Sequence, residues 1–347
     1  MSELREFKCP NCDGRLEFDS HIQKLKCPYC DGTFDPDSFE DAKEFVVDNS
    51  NWDDSDLVTY TCNSCNGVIM ADKNTAASSC PYCNNPVVMT GNVSGVLKPK
   101  KILPFLLDKQ QAKEKYKQHL KGKILLPRAF KSDATIDEIK GIYVPYWIFD
   151  GKAKAKMWFD ATKTRTWNEG DYTMVETSYY KLYRSGSVRF SKVPVDASSK
   201  VNDDITQSIE PFNYNQSKDF NQSYLAGYFA DKYDVDVEES REVANKRISN
   251  STKALFASTT ATYDSVVPSA SSIEIGNGNQ EYVMYPVWLL NVKYKDKYYT
   301  FAMNGQTGKF VGDLPEEKGK LAFLSIGIFL GVMSISTLIQ YLLYIFG

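Results

Sequence analysis

Eight cysteines carry the clearest chemical signal in this chain, and they are all the cysteines it has. They form four Cys-x-x-Cys pairs, and the second two pairs repeat the first two at the same spacing. The eight residues are Cys9, Cys12, Cys27, Cys30, Cys62, Cys65, Cys80 and Cys83. One pair grips a metal from a single tight turn, and two pairs close a tetrahedral shell of four sulfurs. The spacing predicts two structural zinc ions without an open coordination position for hydrolysis.

Other uses of the cysteines fit the sequence less well. Four disulfides would require a secreted domain, but residues 1–8 are polar and charged and do not resemble a signal peptide. A redox or iron–sulfur role would favour a βαβ context, which is not predicted around the pairs. His21 is expected in a surface loop, because four sulfurs already fill the shell. Gly, Asn or Asp residues follow each second cysteine and favour positive φ, so the chain can turn back around the metal.

Charge is distributed unevenly along the chain. The whole sequence has a net charge of −3, whereas residues 1–90 sum to −9 and residues 98–156 sum to +9. An acidic head repels phosphate, which lowers the expectation that the ribbons bind nucleic acid. The basic middle could face an acidic partner, the acidic head or an anionic membrane, or it could simply be a solvated surface.

Local patterns between residues 98 and 315 indicate an α+β domain. Residues 100–105 favour a strand, and Asp108 with Gln111 forms a capping-box pattern before a helix that ends at Gly122. A second helix is predicted over residues 236–256, with acids in its first turn. A hairpin is predicted with its turn at Ser185-Gly186, and a final one with its turn at residues 304–308. A short helix is expected from about Ser38.

A second repeat occurs inside this domain. Residues 143–149 contain Pro145-Tyr146-Trp147, and residues 285–290 contain Pro286-Val287-Trp288. In both places Pro-x-Trp leads into an apolar strand and then a lysine-rich alternating strand, over residues 152–159 and 293–301. The repeat predicts that the domain consists of two related halves.

No catalytic motif is recognised, so the protein is expected not to be an enzyme. The acids at residues 231–238 lack the spacing of a calcium loop, and residues 305–309 lack that of a phosphate loop. Two histidines and the absence of a Gly-x-Ser-x-Gly motif leave a hydrolytic triad unsupported. The many Tyr and Trp residues are interpreted as sheet packing rather than as a base-stacking platform.

The C-terminal segment predicts a membrane anchor. Residues 321–346 contain no charge, and a helix of that length spans about 39 Å, enough to cross a bilayer. Lys318 and Lys320 flank its N-terminal side, so the body is expected in the cytoplasm, attached by a single pass. A cleaved lipid-anchor signal is the alternative, but it would place the cysteines outside the cell. Four residues are expected to pack against a partner helix: Gly327, Gly331, Ser334 and Gln340.

The predicted fold class is therefore α+β, with two tandem small β zinc ribbons, a domain of two related halves and a single C-terminal transmembrane helix. The predicted boundaries are residues 1–34 for the first ribbon, 35–57 for an acidic spacer, 58–92 for the second ribbon, 98–315 for the α+β domain and 321–346 for the membrane helix.

The chain resembles a family of membrane proteins of Gram-positive bacteria described as transcription factor IIB-type zinc-ribbon proteins. The resemblance rests on the CPxC…CPYC ribbons, the Pro-x-Trp strands, the stretch 223–229 and the C-terminal anchor. It implies that the eight cysteines are zinc ligands and that no catalytic residue carries over. It also implies a role in bacterial envelope stress, recruiting a flotillin-like SPFH protein and a phage-shock PspA homologue.

Two functional hypotheses follow. The favoured one is a non-enzymatic scaffold or adaptor on the cytoplasmic face of the bacterial cell membrane, which docks membrane or membrane-associated proteins of the phage-shock type. The alternative is a membrane-tethered regulator that binds nucleic acid through its zinc ribbons; a salt-sensitive interaction with DNA or RNA would favour it.

Overall fold

The computed structural model describes residues 9–10, 16–36, 51–62, 64–72, 80–83, 85 and 87–346. The architecture is α+β, with a small sheet and a large sheet. The small sheet has the strand order β1-β2-β3, with β1 at Glu17–Asp19, β2 at Lys24–Lys26 and β3 at Thr33–Phe34. Neighbouring strands in it are antiparallel.

The large sheet contains the other described strands. They are β4 (Asn51–Cys62), β5 (Val68–Asp72), β6 (Val87–Leu97), β7 (Lys101–Ile102), β8 (Lys140–Glu169), β9 (Tyr172–Asp196), β10 (Lys218–Asp219), β11 (Phe229–Asp231), β12 (Ser265–Tyr294), β13 (Lys297–Asn304) and β14 (Phe310–Gly312). The described α-helices are α1 (Lys109–Leu120), α2 (Asp133–Asp137), α3 (Asp203–Ser208), α4 (Val237–Ser258) and α5 (Lys318–Phe346).

The long strands β8 and β12 form the centre of the large sheet. They pair antiparallel, with Val144 opposite Tyr285 and Pro145 opposite Met284. Each also has two partners on its other edge, a short parallel strand and a longer antiparallel one. For β8 these are β11 and β9, and for β12 they are β7 and β13. The apolar residues of both strands are buried here, which explains why their sequences lack alternation.

The helix-start signals lie where the sequence predicts them. Asp108 accepts a hydrogen bond from Gln111 N at 2.7 Å and completes a capping box before α1. Asp236 accepts from the N–H groups of Glu238 and Glu239 before α4. Ala112, Tyr116 and Leu120 form the buried face of α1. Both predicted helices are therefore confirmed.

Beyond this centre, β9, β8 and β12 continue as a three-stranded extension, here called the arm. Helix α4 covers one face of the arm, where Met157, Phe159, Leu182 and Phe256 form a small core. Because side chains alternate along a strand, the even-numbered residues of β8 from Lys152 to Asp160 point away from α4 and are exposed. Past Ser265, the first residue of β12, only the β8–β9 hairpin continues.

The predicted hairpin at Ser185-Gly186 is wrong. Strand β9 runs without interruption through these residues, and Gly186 pairs with Ala155. The hairpin turns instead between β8 and β9, at Gly170, whose φ is +61°. Gly186 lies below α4, and a Cβ there would stand 3.6 Å from the ring of Phe256. Its small size serves packing under a helix rather than a turn.

Three other boundaries differ from the sequence predictions. The alternating stretch 293–301 is not one strand, because Lys295 and Asp296 have positive φ and form a tight turn between β12 and β13. Residues 51–57 of the predicted spacer belong to β4, because their backbone pairs with β6. Strand β6 likewise ends at Leu97, beyond the expected limit of the second ribbon. The helix expected from Ser38 lies outside the described residues.

Candidate metal centres and their packing

The second ribbon brings four cysteines together. The Sγ atoms of Cys62 and Cys83 are 3.4 Å apart, and those of Cys65 and Cys80 are 3.7 Å apart. All four Sγ atoms lie within 4.8 Å of one another. A tetrahedral ion with sulfur at about 2.3 Å requires sulfur–sulfur separations of about 3.8 Å. The group can therefore hold one metal ion, and its thiolates are consistent with zinc.

The first ribbon shows the same arrangement for its described cysteines. Cys9, Cys27 and Cys30 form one group, and the Sγ atoms of Cys9 and Cys30 are 3.4 Å apart. Cys12, the fourth predicted ligand, lies outside the described residues. The sequence prediction thus places both cysteine groups correctly as far as the described residues extend.

The backbone conformation of the turns that carry the cysteines explains which residue types follow the cysteines. Asp31 and Asn66 have φ values of +55° and +52°, and each donates its N–H to the carbonyl of the cysteine four residues earlier, at 2.9 Å. Cys27 N and Cys62 N in turn donate to the glycine carbonyl five residues later, also at 2.9 Å. Asp and Asn tolerate the left-handed conformation, which confirms the expected turn chemistry at these two turns.

The thiols of the second ribbon differ in acidity. Burial alone would raise the pKa of Cys62, but the N–H groups of Cys65 and Ser64 and the adjacent thiols lower it to about 7. Burial raises the pKa of Cys80, and the neighbouring Cys65 and Cys83 add to this. A metal must displace the thiol protons, so the more buried Cys80 makes binding sensitive to pH.

The first ribbon packs against the segment that carries the family resemblance. The ring of Phe18 lies 5.1 Å from that of Tyr224, and Phe18 N donates to Ala226 O at 3.4 Å. In the same segment, Tyr228 stacks on Phe105 with ring centroids 4.2 Å apart. His21, expected only in a surface loop, contacts the carboxylate of Asp108. Residues 223–229 therefore form the surface on which the first ribbon packs.

The second ribbon is joined to the large sheet. Strand β5 pairs with β11, and Asn291 Nδ2 donates to Pro81 O at 2.6 Å. Lys140, whose pKa is lowered by burial, has its Nζ 3.4 Å from Cys80 O. The second ribbon is thus continuous with the large sheet and does not form a sheet of its own.

Two buried carboxylates near this junction were missed by the sequence analysis. Asp231 is 1% exposed; its carboxylate accepts hydrogen bonds from the Ser198 hydroxyl and from Lys232 N. Burial raises its pKa to about 7, although the hydroxyls of Ser198 and Tyr82 act in the opposite direction. Burial likewise raises the pKa of Asp196 to about 8. In the sequence Asp231 stands among acids before a helix, and no pattern marks Asp196; the burial of both depends on the fold.

Helix α5 is the one described helix that is long and apolar enough to cross a membrane. The mean hydropathy reaches 2.2 within the segment Lys318–Tyr341 of this helix, and no residue of that segment is buried. At Gly327 and Gly331 nothing lies within 4 Å of where a Cβ would stand. Ser334 Oγ donates to Leu330 O of its own helix at 2.8 Å. The helix-packing role of Gly327, Gly331, Ser334 and Gln340 stays a prediction.

The fold and sites define an α+β protein with two cysteine groups that can hold metal ions and one candidate membrane helix. The chain is 34% identical over 322 residues to the Bacillus subtilis protein named "Uncharacterized protein YdjG", and the match covers 93% of each chain. It therefore belongs to the family of YdjG. No family model matches the chain. No solved structure matches it.

Proposed function

We propose that the protein is a non-enzymatic adaptor, anchored by α5 in the bacterial cell membrane, that docks partner proteins on its cytoplasmic face. The observation that carries the proposal is the contrast between α5 and the rest of the described chain, here called the body. No residue from Lys318 to Tyr341 is buried, whereas Cys9 and Cys27 lie in the main hydrophobic core and the second ribbon is hydrogen-bonded to the large sheet. A helix with no buried face belongs in a bilayer, and a body attached there is held where membrane partners can reach it.

The orientation follows from charge and from thiol chemistry. Lys318 and Lys320 begin α5, and Lys320 Nζ also donates to Leu126 O of the body at 2.6 Å. Positive residues flanking a membrane helix favour the cytoplasmic side. A cytoplasmic body also keeps the cysteines reduced, as zinc ligands must be. The metal ions in this proposal are two zinc ions in closed four-sulfur sites, which stabilise the ribbons without taking part in a reaction.

We further propose that the α+β domain consists of two related halves. Trp147 Nε1 donates to Val235 O and Trp288 Nε1 donates to Leu107 O, each at 3.1 Å. Each acceptor directly precedes an N-cap aspartate, of α4 and α1 respectively. The two tryptophans therefore do the same task, each fixing the start of one helix against the central strands.

The prolines of the two repeats also correspond. Pro145 O accepts a hydrogen bond from Ala197 N at 3.0 Å, and Pro286 O accepts one from Gly305 N at 2.9 Å. Just before these donors, Asp196 and Asn304 each accept from the N–H group two residues later, at 2.9 Å. An approximate two-fold axis between β8 and β12 would account for all these pairs, which favours a duplication.

The partners proposed for this adaptor are a flotillin-like SPFH protein and a PspA-like protein, acting in an envelope stress response. This rests on the resemblance of the ribbons, the Pro-x-Trp strands and the anchor. A partner membrane helix would pack on the small residues Gly327 and Gly331, whose surface is open.

A pull-down of the full-length protein from detergent-solubilised, nuclease-treated membranes tests the adaptor role. We expect a protein of the flotillin or phage-shock type to be recovered, and to be lost when Cys62 and Cys65 are both replaced by serine. Recovery of nucleic acid without nuclease, and of no protein with it, would contradict the adaptor and favour a regulator.

A further inference from the structure

The face of the arm opposite α4 is an open sheet surface without a covering element among the described residues. We call it the arm face. Its outward side chains come from even-numbered positions of β8 and the paired positions of β9 and β12. The ones that matter below are Lys152, Lys154, Lys156, Arg189, Trp158 and Tyr183, all exposed.

One end of the arm face is strongly basic. Lys152, Lys154 and Lys156 project in a row with a repeat of about 6.7 Å, and Arg189 lies opposite Lys152. None of these four cations makes a salt bridge to a described residue. By contrast, Lys181 Nζ and Asp160 Oδ1, on the row after Trp158 and Tyr183, form a salt bridge at 2.7 Å. One free carboxylate, Glu274, lies opposite Lys154. These four cations and Glu274 together sum to a net charge of +3.

An aromatic pair follows directly on the basic row. Trp158 lies opposite Tyr183, with ring centroids 5.2 Å apart, and the two residues are 41% and 49% exposed. A shallow hollow of about 450 Å³ beside them is also lined by Lys181 and Ala270. Two rows further on, Tyr179 is 82% exposed. The exposure of these rings leaves their surfaces available to a flat ligand.

The arm face lies at the opposite end of β12 from the membrane helix. Helix α5 is attached through Leu125 and Leu126, in a segment where Phe130 packs on Tyr294 at the end of β12. From Ala270, beside the aromatic pair, to Tyr294 the strand spans up to about 80 Å. This separation along β12, together with the basic residues and the exposed rings, favours a soluble polyanion over an anionic membrane as the occupant.

We propose that the arm face binds single-stranded nucleic acid. Phosphates would lie along Lys152, Lys154, Lys156 and Arg189, and bases would stack on Trp158 and Tyr183. An open sheet with exposed rings beside a basic groove is how proteins hold single strands without reading their sequence. An acidic peptide would satisfy the lysines but leave the rings without a partner. The choice against lipid rests on the proposed membrane position of α5, whereas the binding surface itself is independent of the adaptor's partners and lies on the sheet, not on the acidic ribbons.

The test uses the full-length protein in phosphatidylcholine nanodiscs and fluorescein-labelled 20-nucleotide oligo-dT and oligo-U. Fluorescence anisotropy is measured between 50 and 200 mM KCl. Four phosphate contacts predict a slope of about −3 for log affinity against log salt. The Lys154→Glu/Lys156→Glu variant should bind at least tenfold more weakly, with the slope reduced by about 1.4. The Trp158→Ala/Tyr183→Ala variant should lose about five- to hundredfold in affinity with little change in slope.

The matched control is Lys121→Glu/Lys253→Glu, which makes the same charge change after α1 and on α4, away from the arm face. This variant should bind the oligonucleotides as the wild type does. Thermal unfolding checks that each variant is folded. Absence of oligonucleotide binding at 50 mM KCl overturns the proposal. The proposal is also overturned if polyglutamate competes with the labelled strand as well as unlabelled oligonucleotide does, and the Trp158→Ala/Tyr183→Ala variant binds the strand as the wild type does. That combination would mark the face as a site for an acidic protein. Binding only to phosphatidylserine vesicles would mark it as a lipid surface and would equally overturn it.

Discussion

Asp196 and Asn304 occupy corresponding places beside the two Pro-x-Trp strands but differ in what they can donate. The Asn304 amide donates to Ile209 O at 3.0 Å and to Pro211 O at 3.1 Å. Asp196 is a carboxyl group in a buried position, and burial raises its pKa to about 8. A group that is neutral when folded and charged when unfolded links stability to pH.

Replacing Asp196 with Asn should therefore make the protein less sensitive to alkaline pH. Because the pKa of the folded state lies above that of the unfolded state, the carboxyl contributes stability at low pH that is lost as pH rises from about 4 to about 8. Asp196→Asn should be more stable than the wild type at pH 8.5 by at least about 1 kcal/mol, and the difference should shrink towards pH 5.

Chemical denaturation at both pH values measures this difference in the free energy of unfolding. Asp160→Asn, an exposed substitution on the same sheet, is the control. Parallel stability–pH curves for the wild type and Asp196→Asn would show that Asp196 does not titrate in this range.

The cysteines should bind metal as two independent groups. Elemental analysis of the full-length protein should give about two zinc ions per chain, and Cys80→Ser/Cys83→Ser should retain about one. Because the metal displaces thiol protons, zinc affinity should rise with pH between 6 and 8. Cys27→Ser/Cys30→Ser serves as the matching variant of the other ribbon. A wild-type protein without zinc, purified without chelator, would contradict the assignment.

At the scale of elements, the two Pro-x-Trp strands fix the helices α1 and α4. Trp147→Phe and Trp288→Phe each remove one indole N–H while keeping an aromatic ring. Each shortens a buried side chain and leaves a half-buried carbonyl without its donor, so each should destabilise the protein by about 1–3 kcal/mol. Equal losses would support the proposed two-fold relation of the halves.

Trp158→Phe is the control for this pair, because its ring is partly exposed and should be replaceable at a cost below about 0.5 kcal/mol. Urea denaturation provides the measurement. If only one of the two buried substitutions is destabilising, the two halves are not equivalent in energy, whatever their shared geometry.

At the scale of the whole molecule, helix α5 is distinct from the body. The body contains the sheets and their core clusters, and no residue from Lys318 to Tyr341 of α5 is buried against them. A chain that ends at Glu317 keeps the hydrogen bond from Glu317 N to Leu125 O and loses the one from Lys320. Only a small part of the body's stability therefore depends on α5.

This truncated chain should move from the membrane to the soluble fraction and remain folded. Its unfolding midpoint should lie within a few degrees of that of the detergent-solubilised full-length protein, because the loss is about one hydrogen bond. Cell fractionation and circular dichroism provide the measurement. Retention of the truncated chain on membranes would show a second membrane contact within the body.

The sequence by itself determined the features that depend on a few neighbouring residues. The Cys-x-x-Cys turns, the N-caps at Asp108 and Asp236 and the apolar α5 are local patterns, because each is stabilised by contacts within a few positions. The cysteine groups could be predicted for the same reason. Two turns of this kind suit only a few ligands, so their spacing already specifies the site.

Only the tertiary structure decided how distant strands pair. Ser185-Gly186 has the composition of a turn, yet it continues β9, because pairing with β8 and packing under α4 outweigh local preference. Residues 51–57 read as a solvated spacer and instead pair with β6. Pairing of β11 with β5 and β8 places Asp231 in a buried position, and pairing of β8 with β9 aligns Trp158 with Tyr183 on the arm face. Burial and alignment arise from contacts between residues far apart in the chain, and local sequence does not encode them.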